Sequence, residues 1–298
     1  MQRSKLLFIT GKGGVGKTTV STMIGQAAAH RGQKTLIVEV NGSLQVPFIY
    51  NSESKHYQIT PLDHNLYSMS LTAELAIEDY IVQQLRSRRL YKLAFQNRFI
   101  KPLLNGAPGL HNAVQIGKIF ELVCSGDWDL IVVDAPATGH GITMLDAARH
   151  MMELTQIGPM YEANKEVEAV MTDPKHTAIL LVCIPEQLPV SECIELYHRL
   201  PTHRQKAVLG TLINQFNSQI YAHLPENLPP ANSTAGQLHR HHQSECDEAQ
   251  RLKSLPVSAL SLPFQSFKAG QPSEQALEIV RHIDDHFKSA STERQHHA

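Results

Sequence analysis

Gly11-Lys12-Gly13-Gly14-Val15-Gly16-Lys17-Thr18-Thr19 is the stretch that decides the fold of this 298-residue chain. It matches the pattern G-x-x-x-x-G-K-[ST], and its setting is the one that pattern needs. An apolar run at residues 6–10 reads as a strand before it, and a helical pattern opens directly after it. The glycines let backbone N–H groups wrap a phosphate, and the positive end of the following helix adds its field. In this reading residues Gly11 through Thr19 form the cradle. Lys17 reaches the β- and γ-phosphates of a nucleotide, and the Thr18 hydroxyl ligates Mg²⁺. A glycine-rich turn arising by chance does not come with the lysine, the threonine and both flanking elements.

Outward from the loop, apolar runs alternate with helical segments. Strands are predicted at residues 35–40, 130–134, 178–184, 208–214 and 257–262, with a weaker one at 66–71. Most are apolar throughout, as expected for a parallel sheet covered by helices on both faces. Val20, Met23, Ile24 and Ala27 share one helical face, and Gly32 stands where that helix would end. The prediction is an α/β fold, a doubly wound and mostly parallel sheet, in one domain spanning residues 1–298. The connection between Val40 and Asp127 is far longer than a crossover helix needs. It carries Ile81, Leu85, Leu90, Leu93, Phe95 and Phe99 at helical spacings, and a second helical stretch covers 142–171. These two pieces, about 72–120 and 141–172, are expected to form an inserted α-helical subdomain at the sheet's functional edge. Residues 288–298 read as a flexible tail.

Composition bounds the partners. Hydrophobic residues make up 42% and charged residues 18%, which suits a large core, and the formal net charge of −1 gives no electrostatic reason to bind nucleic acid. The four cysteines, Cys124, Cys183, Cys193 and Cys246, contain no CxxC pair and read as reduced thiols of a cytoplasmic protein. No stretch approaches the ~20 apolar residues that span a bilayer, so stable membrane insertion is not expected.

Lys12 narrows the reading. With it the loop resembles the deviant Walker A signature KGGVGK[ST]. That resemblance implies a homodimer in which Lys12 crosses to the partner's nucleotide; a cation there would neutralise charge building on the phosphates. Leu130-Ile-Val-Val-Asp134 ends an apolar strand in a carboxylate, as a Walker B strand does, so Asp134 joins Thr18 as a candidate Mg²⁺ residue. Asp134-Ala-Pro-Ala-Thr-Gly-His140 resembles the switch II of the arsenite-pump ATPase family (ArsA), which includes the eukaryotic ATPase that targets tail-anchored membrane proteins. The family's switch I aligns onto Glu39-Val-Asn-Gly-Ser-Leu44-Gln-Val-Pro-Phe48 and implies that Glu39 activates the attacking water. Asn214, at the end of a predicted strand, resembles the family's adenine-reading asparagine, and Pro263 falls where a loop packs on the adenine. A guanine signature T/N-K-x-D is missing at Asn214, which favours ATP. The resemblance, from about residue 6 to 264, implies ATP and Mg²⁺ as cofactors and a hydrophobic helical client or membrane-protein partner.

The sequence also departs from the family. Pro136 lies one position early, and Glu39 replaces an aspartate. The predicted helical segments carry no cysteine for a soft arsenite ion, only one half of the double pump ATPase is present, and the zinc-clamp CxxC is missing. An ATPase subunit energising an anion pump is the first alternative, and a partitioning or positioning ATPase the second. Met144, Met151, Met152, Met160 and Met171 either fill the helical core or line an adaptable apolar groove. His239 and His242 could share a helix face, yet a metal site there is not the expected reading.

Overall fold

The computed structural model describes residues 3–40, 42, 44–85, 109–216, 233–264 and 267–292. Among the described residues eight strands form a single sheet in the order β3-β4-β2-β5-β1-β6-β7-β8. The strands are β1 Lys5–Gly11, β2 Thr35–Val40, β3 Thr60–Asp63, β4 Leu66–Leu71, β5 Leu130–Asp134, β6 Thr177–Cys183, β7 Val208–Asn214 and β8 Ser258–Leu262. All pairings are parallel except β3 with β4.

The described helices are α1 Lys17–His30, α2 Gln45–Ile49, α3 Ala73–Leu85, α4 Leu110–Ser125, α5 Thr138–Leu145, α6 Ala147–Thr155, α7 Pro159–Thr172, α8 Gln187–Arg199, α9 Thr202–Gln205, α10 Thr234–Leu252 and α11 Glu274–Thr292. The inner strands are buried on both faces, which is why β1, β2, β5, β6 and β7 read as unbroken apolar runs. One face is covered by α1 and α11, through Val20, Ile24, Ile279 and Phe287. The other is covered by α4, α7 and α8, through Ile116, Ile119, Val170 and Val190.

β3 is absent from the sequence reading. It is short, holds Pro61, and lies antiparallel at the sheet's edge, where a missing N–H donor is tolerated. β8 is the other edge and is mostly exposed, starting at Ser258 rather than Val257. Further boundaries differ from expectation. The final helix continues to Thr292, so residues 288–292 are helical; 293–298 lie outside the described residues. The helical stretch expected over 142–171 begins earlier, because α5 starts at Thr138.

In and around the spans 72–120 and 141–172 the described helices are α3, α4, α5, α6 and α7. Leu90, Leu93, Phe95 and Phe99 lie outside the described residues. Ala76, Ile77, Val114, Ile119, Val167 and Met171 join the same buried cluster as β-strand residues Phe8, Val38 and Val133. The described helices therefore share the sheet's core rather than enclosing a separate one. A buried Arg204 reinforces this side: its guanidinium meets Asp146 at 2.8 Å and Glu168 at 2.7 Å, joining the α5–α6 junction to α7.

Candidate functional site

The carboxyl ends of β1, β2 and β5 meet at one edge, and the phosphate loop leaves β1 there. Two of its glycines are needed for steric reasons. A Cβ on Gly11 would stand 2.1 Å from the Val182 carbonyl oxygen of β6, and one on Gly16 would stand 2.4 Å from Asn214 Nδ2. Gly16 also has φ +86° where it begins α1, a left-handed backbone that side chains resist. Val15 is buried in the core and pins the loop's crest to the sheet.

Below the loop lies a cleft of about 450 Å³, lined by Gly14, Gly16, Lys17, Thr18, Thr19, Glu39, Asp134 and the Ala135–Ala137 turn. Lys17 Nζ donates to the Gly11 and Lys12 carbonyls at 3.1 and 2.8 Å. Burial pushes its pKa down, against the pull of Asp134. Thr18 Oγ1 donates to Asp134 Oδ2 at 2.6 Å. Asp134 Oδ1 is buried without a hydrogen-bond partner among the described residues. Burial raises the Asp134 pKa, although the Thr18 hydroxyl and Lys17 oppose the rise.

Glu39 is the penultimate residue of β2, one strand over, directly opposite Asp134 in the register. Its side chain is bifunctional in geometry. Oε1 accepts the backbone N–H groups of Gln45 at 2.9 Å and Val46 at 3.2 Å, whereas Oε2 is buried without a partner among the described residues. Burial raises this carboxyl's pKa, the two amides lower it, and Asp134 adds a smaller rise. The Gln45 and Val46 amides were not singled out by sequence, although they lie in the stretch aligned with switch I.

The structure thus gathers Gly14, Gly16, Lys17, Thr18, Thr19, Glu39 and Asp134 into one cleft. Lys12 is not part of it; its Nζ lies 3.1 Å from Glu192 Oε1 on α8. Gly13 flanks the cleft, 3.8 Å from Ala137 as measured to a Cβ built on it. Asn214 stands behind the loop, buried, with Nδ2 donating to the Val15 carbonyl at 2.9 Å and Oδ1 accepting Gln215 N–H at 3.0 Å. Its support of the loop is a role that no local sequence signal carries. Pro263 directly follows Leu262, the register partner of Asn214, at the outer end of the edge strand β8.

A second cavity of about 590 Å³ lies among α3, α4, α6 and α7, with Val114, Phe120, Met151, Met160 and Val167 among its walls. The methionines divide: Met144 and Met171 are fully buried core, whereas Met151 and Met160 face this cavity. Tyr57, at its rim, donates to Asp79, which also takes Lys118 at 3.0 Å. The four cysteines are free thiols. Among the described residues no group of three or more His, Cys, Asp or Glu is placed to hold a metal, and His242 instead faces Cys246. No described helix is long and apolar enough to cross a membrane.

This geometry can be set beside known proteins. The family model described as anion-transporting ATPase matches residues 4–157. The chain is 30% identical over 245 residues to the ATPase BagA of Mycobacterium tuberculosis, covering 76% of this chain and 69% of that protein. It is 23% identical over 241 residues to the ATPase asna-1 of Caenorhabditis elegans, with 66% and 70% covered. It is 26% identical over 236 residues to an ATPase ASNA1 homolog of Cryptosporidium parvum, with 66% and 61% covered.

Proposed function

The chain belongs to the ArsA family of anion-transporting ATPases and is an ATPase; from that premise we propose that it works as a homodimeric switch, hydrolysing Mg²⁺-ATP to capture and release a hydrophobic protein segment. The observation that carries the reading is the cleft itself, in which Lys17, Thr18, Asp134 and Glu39 converge from three strand ends.

Lys17 exchanges its two carbonyl partners for the β- and γ-phosphates, a gain because charged acceptors bind an ammonium more strongly. Mg²⁺ is a hard cation that takes oxygen ligands, and the Thr18 hydroxyl and Asp134 carboxylate supply them, with Oδ1 of Asp134 buried and unpaired among the described residues. When bound, the ion neutralises charge on the phosphate oxygens. Glu39 holds α2 with one oxygen and presents the other to a water, which it orients or deprotonates. Asn214 keeps one amide hydrogen and one carbonyl lone pair beyond its bonds to Val15 and Gln215, enough to pair with an adenine edge near Pro263.

Lys12 serves a partner's phosphates in this reading, and its exclusion from its own cleft supports that. The apolar cavity among α3, α4, α6 and α7 takes part of one face of a client helix. α5, which begins four residues after Asp134 and leads into α6, gives the cleft a direct route to that wall.

The test uses purified protein with Mg²⁺-ATP and a soluble carrier bearing one ~20-residue apolar helix. Glu39→Gln should sediment as a dimer and retain the carrier, and Lys12→Ala should do neither. Monomers under every nucleotide condition, or carrier binding that ignores nucleotide, would refute the proposal.

A further inference from the structure

Lys12 and Lys17 share one loop and turn opposite ways. Lys17 Nζ folds inward onto the loop's own carbonyls, including that of Lys12 at 2.8 Å. Lys12 Nζ pairs with Glu192 at 3.1 Å, with side chains 30% and 32% exposed. The strand order makes this direction informative. The cleft is built from β2, β5 and β1, whereas α8 follows β6, on the other side of β1. α8 is firmly seated through Pro189, Val190, Cys193, Leu196 and Tyr197, so Glu192 is presented from a fixed helix.

We propose that Glu192 is a positioning residue that parks Lys12 away from any nucleotide until a second copy of this chain brings its own phosphates to it. The inference rests on the reading of Lys12 as a cation supplied in trans. Two contacts restrain Lys12, its carbonyl on Lys17 and its ammonium on Glu192. Phosphates bound by Lys17 in the same chain release the first. The partner's phosphates then compete for the second, and several phosphate oxygens outbid one carboxylate. A partly exposed ion pair of this kind shifts an equilibrium by roughly two- to five-fold, weak enough to exchange yet large enough to delay dimer closure.

ATPase activity per protomer, measured against protein concentration, tests this. The half-maximal concentration should fall roughly two- to five-fold for Glu192→Gln, while ATP affinity measured well below that concentration stays at the wild-type value. A role confined to folding would not move the concentration midpoint alone. Adding Glu192→Gln to Lys12→Ala should change nothing further, since the residue acts through that lysine. If wild-type activity rises with concentration and depends on Lys12, but Glu192→Gln leaves the midpoint unchanged or raises it, parking is overturned and the trans reading stands. If wild-type activity is flat with concentration and indifferent to Lys12→Ala, the trans reading fails and takes this inference with it.

Discussion

Replacing Glu39 separates its two oxygens. In Glu39→Gln the amide oxygen can still accept the Gln45 and Val46 N–H groups, so α2 should stay anchored. The variant also removes a buried charge. Because burial raises the Glu39 pKa, the carboxyl takes up a proton more readily in the folded chain than in the unfolded one. That contribution to stability is complete below the unfolded carboxylate value and is lost as pH rises through the raised one. At pH 8 Glu39→Gln should therefore be at least as stable as wild type, with the margin shrinking as pH falls through that window. Glu39→Ala removes the acceptor. The Gln45 amide can turn to water, but the buried Val46 amide is left unpaired, costing about 1–3 kcal/mol. For a chain of this size that lowers Tm by about 2–5 °C.

The chemistry should not follow stability. If Oε2 orients or deprotonates the water, both variants lose about 10²–10⁴-fold in kcat. Phosphate release under saturating Mg²⁺-ATP and thermal melts at several pH values are the two assays. Activity of Glu39→Gln within tenfold of wild type would reduce Glu39 to an anchor for α2. Equal destabilisation by Gln and Ala would show that the accepting oxygen is not what holds the segment.

Two further substitutions probe the frame of the site. Asn214→Ala should raise KM for ATP roughly 5- to 30-fold, the equivalent of about 1–2 kcal/mol, by unpairing the Val15 carbonyl. Inhibition by tripolyphosphate, which has no base, should weaken in parallel; weakening for ATP alone would assign Asn214 to adenine instead. Arg204→Met strands Asp146 and leaves Glu168 with Arg149, and should cost about 3–5 kcal/mol. Denaturant unfolding that shows a loss below about 1 kcal/mol would mean solvent reaches the cluster readily.

The phosphate loop was legible in the sequence because its work is done by contiguous backbone. Nine residues carry their own geometry, and the strand and helix that flank them are local patterns. The inner strands were legible for a related reason: burial on both faces demands apolar residues at every position, as in Leu130 to Val133. β3 was not, since an edge strand with Pro61 satisfies no such demand. The tertiary structure decided what joins residues distant in the chain. Asn214 meets Val15 across 199 positions, and Thr18 meets Asp134 across 116. Only the fold shows that Lys12 faces Glu192, that two of the five methionines line a cavity, and that Glu39 spends one oxygen on backbone amides. A motif names the groups that can act, because residue type sets their chemistry. Where each charge points depends on the neighbours that desolvate and pair it, and those are supplied by strand order.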